Sequence, residues 1–194
     1  MQFDLIPVHA VKSISQRNLV IHWQALYARQ GLPRFADFTP GERAHDPRRV
    51  LVWAVDRSSG ETTYRHLYRG DYAVEAFGPV VRPAEAPPPL RDIILAGLDE
   101  CATSANIIYM SITAPDPSGN AIDCERLLLP FSDGAAEVTH ILSSLELVSL
   151  AGSFDRQTVV ERFTTQVGVT FSGRILPATA STTATPAERA ETAG

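Results

Sequence analysis

Residues 106–149 read NIIYMSITAPDPSGNAIDCERLLLPFSDGAAEVTHILSSLELVS. The stretch divides into three predicted strands, 106–114, 121–131 and 137–149. The clusters Asp116-Pro117-Ser118-Gly119-Asn120 and Ser132-Asp133-Gly134 supply the turns between them. Upstream, residues 50–56 (VLVWAVD) and 61–69 (ETTYRHLYR) flank Ser58-Ser59-Gly60 and predict a further hairpin. Between the two groups the pattern is helical. Gly70-Asp71 ends the second strand, and Tyr72, Val74, Ala76 and Phe77 predict a short helix closing at Gly78-Pro79. Five prolines in 79–89 form an extended connector. Leu90, Ile93, Ile94, Gly97, Leu98 and Cys101 then mark one face of a helix over 90–104. Hairpin-connected strands with helices gathered between them indicate an α+β fold built on an antiparallel sheet.

The flanks extend this order. The first ten residues read as an extended arm. Ser13 and Gln16 have the spacing of a capping box ahead of an amphipathic helix, 14–30, whose stripe is Leu19, Val20, Trp23, Leu26 and Tyr27. Gly31 and Pro33 stop it. Thr39-Pro40-Gly41-Glu42 and Asp46-Pro47 each have the form of a short helical start. After Gly152, the spacing of Phe154, Val159, Val160, Phe163 and Val167 predicts one more amphipathic helix, within 151–172. In residues 178–194, Ala and Thr supply 11 of 17 positions, too little apolar bulk to repay ordering, so 173–194 reads as a flexible tail.

Composition narrows the function classes. The chain has 194 residues, 44% hydrophobic and 20% charged, enough to bury a core without disulfides or metal. A net charge of −5 disfavours general binding to a phosphate backbone, though a local patch would escape that average. No run approaches the 18 or so apolar residues of a membrane span, and the N-terminal residues have the wrong charge order for a signal peptide. Cys101 and Cys124 form no disulfide framework and no zinc spacing. The expectation is a soluble, cytoplasmic protein.

Catalytic signatures are few. No phosphate-binding glycine loop, zincin, CxxC or nucleophile-elbow motif occurs. Five histidines are scattered: His22 reads as solvated, while His66 and His140 lie in strands, where satisfied side chains outnumber ligands. Alternation places Tyr64 and Tyr68 on the same face as His66. Cys101 falls on the apolar stripe of its helix, and neither cysteine has a base nearby in the pattern. Glu125-Arg126 is a charged pair inside an apolar strand, able to face water or to pair across to Arg65 or His66.

Three segments carry a family resemblance. Tyr64-Arg65-His66-Leu67-Tyr68-Arg69-Gly70, followed by Asp71-Tyr72-Ala73-Val74-Glu75-Ala76-Phe77-Gly78, resembles the Y-R-x-x-x-x-G stretch and short helix of the compact PAS-like proteins of alphaproteobacteria. Glu125-Arg126-Leu127-Leu128-Leu129-Pro130-Phe131-Ser132-Asp133-Gly134, with Val138 and Ile141-Leu142, is similar to that family's penultimate and final strands. His22-Trp23-Gln24-Ala25-Leu26 and Gly31-Leu32-Pro33 through Thr39-Pro40 resemble its first helix and following loop. The chain departs from the family at Leu67-Tyr68-Arg69, where a small apolar pair is usual. The resemblance implies a PAS-like domain over 19–150, with a five-stranded antiparallel sheet, helices on one face, and N- and C-terminal helices added.

It also implies a bacterial sensory or interaction module without catalytic residues, working in signal transduction through a small-molecule pocket, a protein partner, or both. No kinase, cyclase or DNA-binding pattern occurs in these residues, so output is expected through a partner or a homodimer formed by helix 14–30 or 154–167. From strand alternation, the expected ligand-binding residues are Trp53, Tyr64, His66, Tyr109 and Glu125. The sequence requires no cofactor. An alternative of another class is a haem or metal sensor using His66 or His140, and a third is a small enzyme of unrecognised type.

Overall fold

The computed structural model describes residues 1–38, 46–77, 86, 88–115, 121–134, 136–149 and 168–177. Its framework is one seven-stranded sheet: β1 (Asp4–Leu5), β2 (Val50–Asp56), β3 (Thr63–Arg69), β4 (Ile107–Pro115), β5 (Ala121–Phe131), β6 (His140–Ser149) and β7 (Gly168–Ile175). The strand order is β1-β7-β4-β5-β6-β2-β3. All neighbours pair antiparallel except β1 and β7, which run parallel. Among the described residues three α-helices join the strands: α1 (Ile14–Gln30), α2 (Asp71–Phe77) and α3 (Pro88–Ser104). The fold is thus α+β, and α2 and α3 lie between the β2–β3 hairpin and the run β4–β6, the order read from the sequence.

Two expectations are corrected by the strands at the far edge. The sheet has seven strands, not five, because β7 pairs with β4 and β1 pairs with β7. Residues 168–175, divided by the sequence reading between a helix and a tail, are strand. Their signal was the alternation of Val169, Phe171 and Ile175, which a one-residue bulge at Thr170 interrupts. Gly173 admits the arm that carries β1: a Cβ there would lie 2.6 Å from the Ile6 side chain. The remainder of the helix expected over 151–172, the tail from 178, and the Thr39-Pro40 start lie outside the described residues.

A third correction concerns the layers. Helices cover both faces of the sheet. Leu90, Ile93, Leu98, Cys101 and Ala102 of α3 pack on one face with Trp53, Ile108, Met110, Ile122, Cys124 and Leu128. Leu19, Val20 and Trp23 of α1 pack on the other with Val50, Val52, Ile107, Tyr109, Leu127 and Leu129. From Cys124 to Phe131, β5 therefore meets water on neither face. A sheet so covered reads as a continuous apolar run rather than an alternation, which is the form of Leu127-Leu128-Leu129. Each of those leucines, fully buried, stabilises the fold by roughly 1.5–3 kcal/mol.

Polar groups fix how α1 sits on its face. The Ser13 hydroxyl accepts from the Gln16 backbone N–H at 3.4 Å, the first half of a capping box. The Gln16 side chain does not close the box as expected. It is buried and donates instead to the carbonyls of Glu125 and Ser144. Trp23 Nε1 donates to the Pro130 carbonyl at 2.7 Å. His22 is not a solvated surface residue either, since its ring packs 5.1 Å from Phe38.

The glycine of the Y-R-x-x-x-x-G stretch has a steric reason. At the end of β3, Gly70 donates to Val50 O while the turn Pro47–Arg49 crosses directly over it. A Cβ at Gly70 would lie 2.2 Å from the Arg48 carbonyl oxygen. Backbone, not a movable side chain, fills that space. Gly70→Ala is expected to destabilise the protein by about 2–3 kcal/mol, read as a lower urea midpoint at unchanged slope. Trp23→Phe, which removes the indole donor from the buried Pro130 carbonyl, is expected to cost about 1–3 kcal/mol in the same assay.

Candidate functional site

The two covered faces divide the five expected ligand residues. Trp53, Tyr64 and His66 lie on the α3 side. Tyr109 and Glu125 lie on the α1 side. The five do not form one site.

On the α3 side, Trp53 of β2 faces His66 of β3, their rings 3.7 Å apart. Tyr64 is buried two pairs along, opposite Val55, and its hydroxyl donates to Asp99 Oδ1 on α3 at 2.6 Å. Burial, and then that bond, push the Tyr64 hydroxyl well above its ordinary range. Tyr68 does not share this face. β3 bulges opposite Val52/Trp53, with Leu67 left unpaired, so Tyr68 pairs with Val52 on the α1 side. Burial, helped by the Arg69 and Arg126 charges, pushes His66 down to about 4, leaving a neutral imidazole at ordinary pH.

Between α3 and the sheet lies a small cavity of about 50 Å³. Trp53, Leu51, Leu90, Ile94, Ile112, Cys124, Arg126 and Leu145 line it. Two of these are out of keeping with an apolar core. Among the described residues the buried Trp53 indole N–H has no acceptor. Arg126 is 4% exposed, and its guanidinium meets neutral oxygens: Nε donates to Ser143 Oγ at 3.2 Å and Nη1 to Ile94 O at 3.3 Å. Among the described residues no carboxylate lies within ion-pair distance of it. Burial lowers Arg126 to about 10, so it stays cationic at neutral pH. Cys101 and Cys124, buried nearby, are pushed up by the same cause, Cys124 to about 12, and remain thiols.

Sequence reasoning singled out Glu125-Arg126 but carried only Glu125 into the site. Adjacent strand residues face opposite ways, so the pair was bound to split across the sheet. Which member joins Trp53 depends on register through β6, where Arg126 opposes Leu145 and Trp53 opposes Ile141. Turn chemistry alone does not set that register.

The α1 side holds a different arrangement. Glu125 is buried beneath the start of α1, 3.8 Å from the Lys12 ammonium and directly opposite Glu146. Glu146 is in turn paired with Arg49 and accepts from Ser15 at 2.9 Å. The Tyr109 hydroxyl accepts from the Lys12 backbone N–H at 3.4 Å. Burial raises the Glu125 carboxyl, partly opposed by Lys12 and Tyr109. The buried oxygens Glu125 Oε2, Gln16 Oε1 and Ser111 Oγ have no hydrogen-bond partner. A larger open groove of about 410 Å³ lies on this side, between Phe35, Phe38, Pro47 and the β2–β3 hairpin. It contains none of the five residues, and its Tyr68 hydroxyl already donates to Pro47 O.

The histidine alternatives fare unequally. His140 is held by Thr139 and Asp133 and stacks on Phe35 at 5.0 Å. His66 is neutral, as a ligand must be, but the cavity on its side is far below the roughly 300 Å³ from which cofactor pockets begin. Among the described residues no three His, Cys, Asp or Glu side chains gather as a metal site. No helix of the described residues is long and apolar enough to cross a membrane.

Opposite pH signatures follow from the two faces. His66 binds its proton more weakly folded than unfolded, so stability falls as pH drops from about 6.5 towards 4. NMR titration of the imidazoles is expected to place His66 near 4. Glu125 binds its proton more tightly when folded, so its contribution to stability is lost as pH rises through the carboxyl range. Glu125→Gln is expected to raise the urea midpoint at pH 7 and to leave it nearly unchanged at pH 4.

No protein-family model and no curated protein matches the chain. Among solved structures, an RNA-binding light-oxygen-voltage receptor is similar over 68% of this chain, at 19% sequence identity and a TM-score of 0.35. The chain spans 40% of the length of that receptor chain.

Proposed function

We propose that this protein is a PAS-like sensory module that binds a small molecule between α3 and the sheet and passes the signal to a protein partner or a second copy. The observation that carries this reading is the apolar cavity on the α3 side, lined by Trp53 of β2 and by Leu90 and Ile94 of α3. An apolar group that enters it from water is favoured by roughly 25 cal/mol per Å² of surface buried. The order of two strands, helices and three strands agrees with the resemblance read from the sequence.

The site works by binding rather than turnover in this reading. Both nearby thiols are held protonated, and the His66 ring packs tilted against Trp53. Arg126 ties the sheet to α3 beside the cavity, because its guanidinium bridges Ser143 on β6 and the Ile94 carbonyl on α3. An occupant that fills the space between the sheet and Leu90 and Ile94 shifts the seat of α3, so binding selects between two packings. The ground for expecting α1 as a dimer contact is removed. Its stripe is buried on its own sheet, and only Ile14 and Ile21 remain as large exposed apolar residues.

The test is a ¹H–¹⁵N NMR screen of the full chain against charged and neutral metabolites. At least one compound is expected to shift the Trp53 indole N–H together with α3 amides from Leu90 to Ser104. A screen in which no compound moves these signals would overturn the reading.

A further inference from the structure

A well-packed core has few empty spaces, because each void strips its lining of packing contacts. The cavity under α3 is such a space. Its floor comes from four neighbouring strands, with Leu51 on β2, Ile112 on β4, Cys124 on β5 and Leu145 on β6. Its roof is Leu90 and Ile94, one turn apart on α3. No polar atom opens onto the space. Trp53 meets it with ring carbons, since its Nε1 is buried out of reach. Arg126 meets it with the carbon stem, while its guanidinium is held by Ser143 and the Ile94 carbonyl.

We infer that the occupant of this cavity is a small hydrocarbon, a neutral molecule of about two to four carbons without hydrogen-bonding groups. The inference rests on the sensory reading above and adds to it the chemical class of the ligand. The wall sets the class. A buried water needs about two to four polar partners, and this wall offers none, so an apolar ligand has no bound water to displace. A hydroxyl or amide brought in would lose its bonds to solvent and gain none here. A charged group is excluded more strongly still. Volume sets the size. An apolar cavity of about 150 Å³ holds a six-carbon ring, and this one, at about 50 Å³, is a third of that.

Position makes such a ligand felt. An occupant touches four strands and both roof residues at once, so its presence bears on how α3 seats on the sheet. Leu51 and Ile94 are half-buried, so the wall reaches the surface at these side chains and a ligand enters without unfolding the core. So small a ligand binds weakly, with a Kd on the order of 1 mM at the ligand-efficiency limit.

The experiment is a ¹H–¹⁵N NMR titration of the full chain with propane dissolved under pressure. It is set against ethanol, which has as many heavy atoms, and benzene, which is larger. Propane is expected to saturate in the millimolar range and to shift the Trp53 indole N–H with the α3 amides from Leu90 to Ser104. Ethanol is expected to bind at least about tenfold more weakly, and benzene to leave these signals in place. Ile94→Phe, which fills the space, should abolish the propane shifts. If that variant fails to fold, Ile94→Ala, which enlarges the space, should admit benzene. Ethanol binding as tightly as propane would overturn the inference and leave the sensory reading standing. So would a charged or hydrogen-bonding compound of the wider screen that moves these signals when propane does not. A cavity that takes neither propane nor any compound of that screen would overturn both.

Discussion

The constraint on which the structure depends is that β5 has no face left for water. Its side chains alternate between two cores, one under α1 and one under α3. Neither helix can leave without exposing half of the longest strand. This explains why α1, ahead of the strands in sequence, is pinned by the buried Gln16 and by the Trp23 bond to Pro130. It also explains the added edge. β7 extends the sheet beside β4, where the Thr113 and Thr170 hydroxyls meet and Phe171 reaches the Tyr109 ring. The sheet is a shared wall, and each side of it encloses its own polar residues.

Charge is placed across that wall in an ordered way. On the α1 side, Lys12, Glu125, Glu146 and Arg49 lie along one line of neighbours, and each acid has a cation within reach. On the α3 side stands Arg126, buried and without such a partner among the described residues. Buried ion pairs seldom add net stability, but a buried charge left single is costly. The asymmetry of the two faces is therefore an energetic fact that a purely structural role for the α3 side leaves without a counterweight. The cation, the unpaired indole N–H and the cavity occur together, under the helix whose carbonyl the cation holds.

Much of the framework was legible in the sequence because local chemistry fixes it. Ser13 caps α1, Asp46 accepts from Arg48 ahead of Val50, and Ser58-Ser59-Gly60 turns β2 into β3. Each of these signals lies within a few residues of the structure it makes. The layering was less legible, although Leu127-Leu128-Leu129 carried it. Three successive leucines in a strand cannot all face one core, and their run pointed to helices on both sides. β7 was missed because Thr170 bulges and its partner strand lies more than fifty residues away. The site was divided for a related reason. Alternation tells which residues share a face within one strand, while pairing across β2, β6 and β5 tells which faces coincide. The bulge at Leu67 then turned Tyr68 away from His66.

The most direct test of this account is amide hydrogen exchange across β5 in the full chain. The account predicts that amides from Cys124 to Phe131 are among the slowest to exchange, because helices cover both faces of the strand. Exchange there as fast as along the edge strand β3 would contradict it.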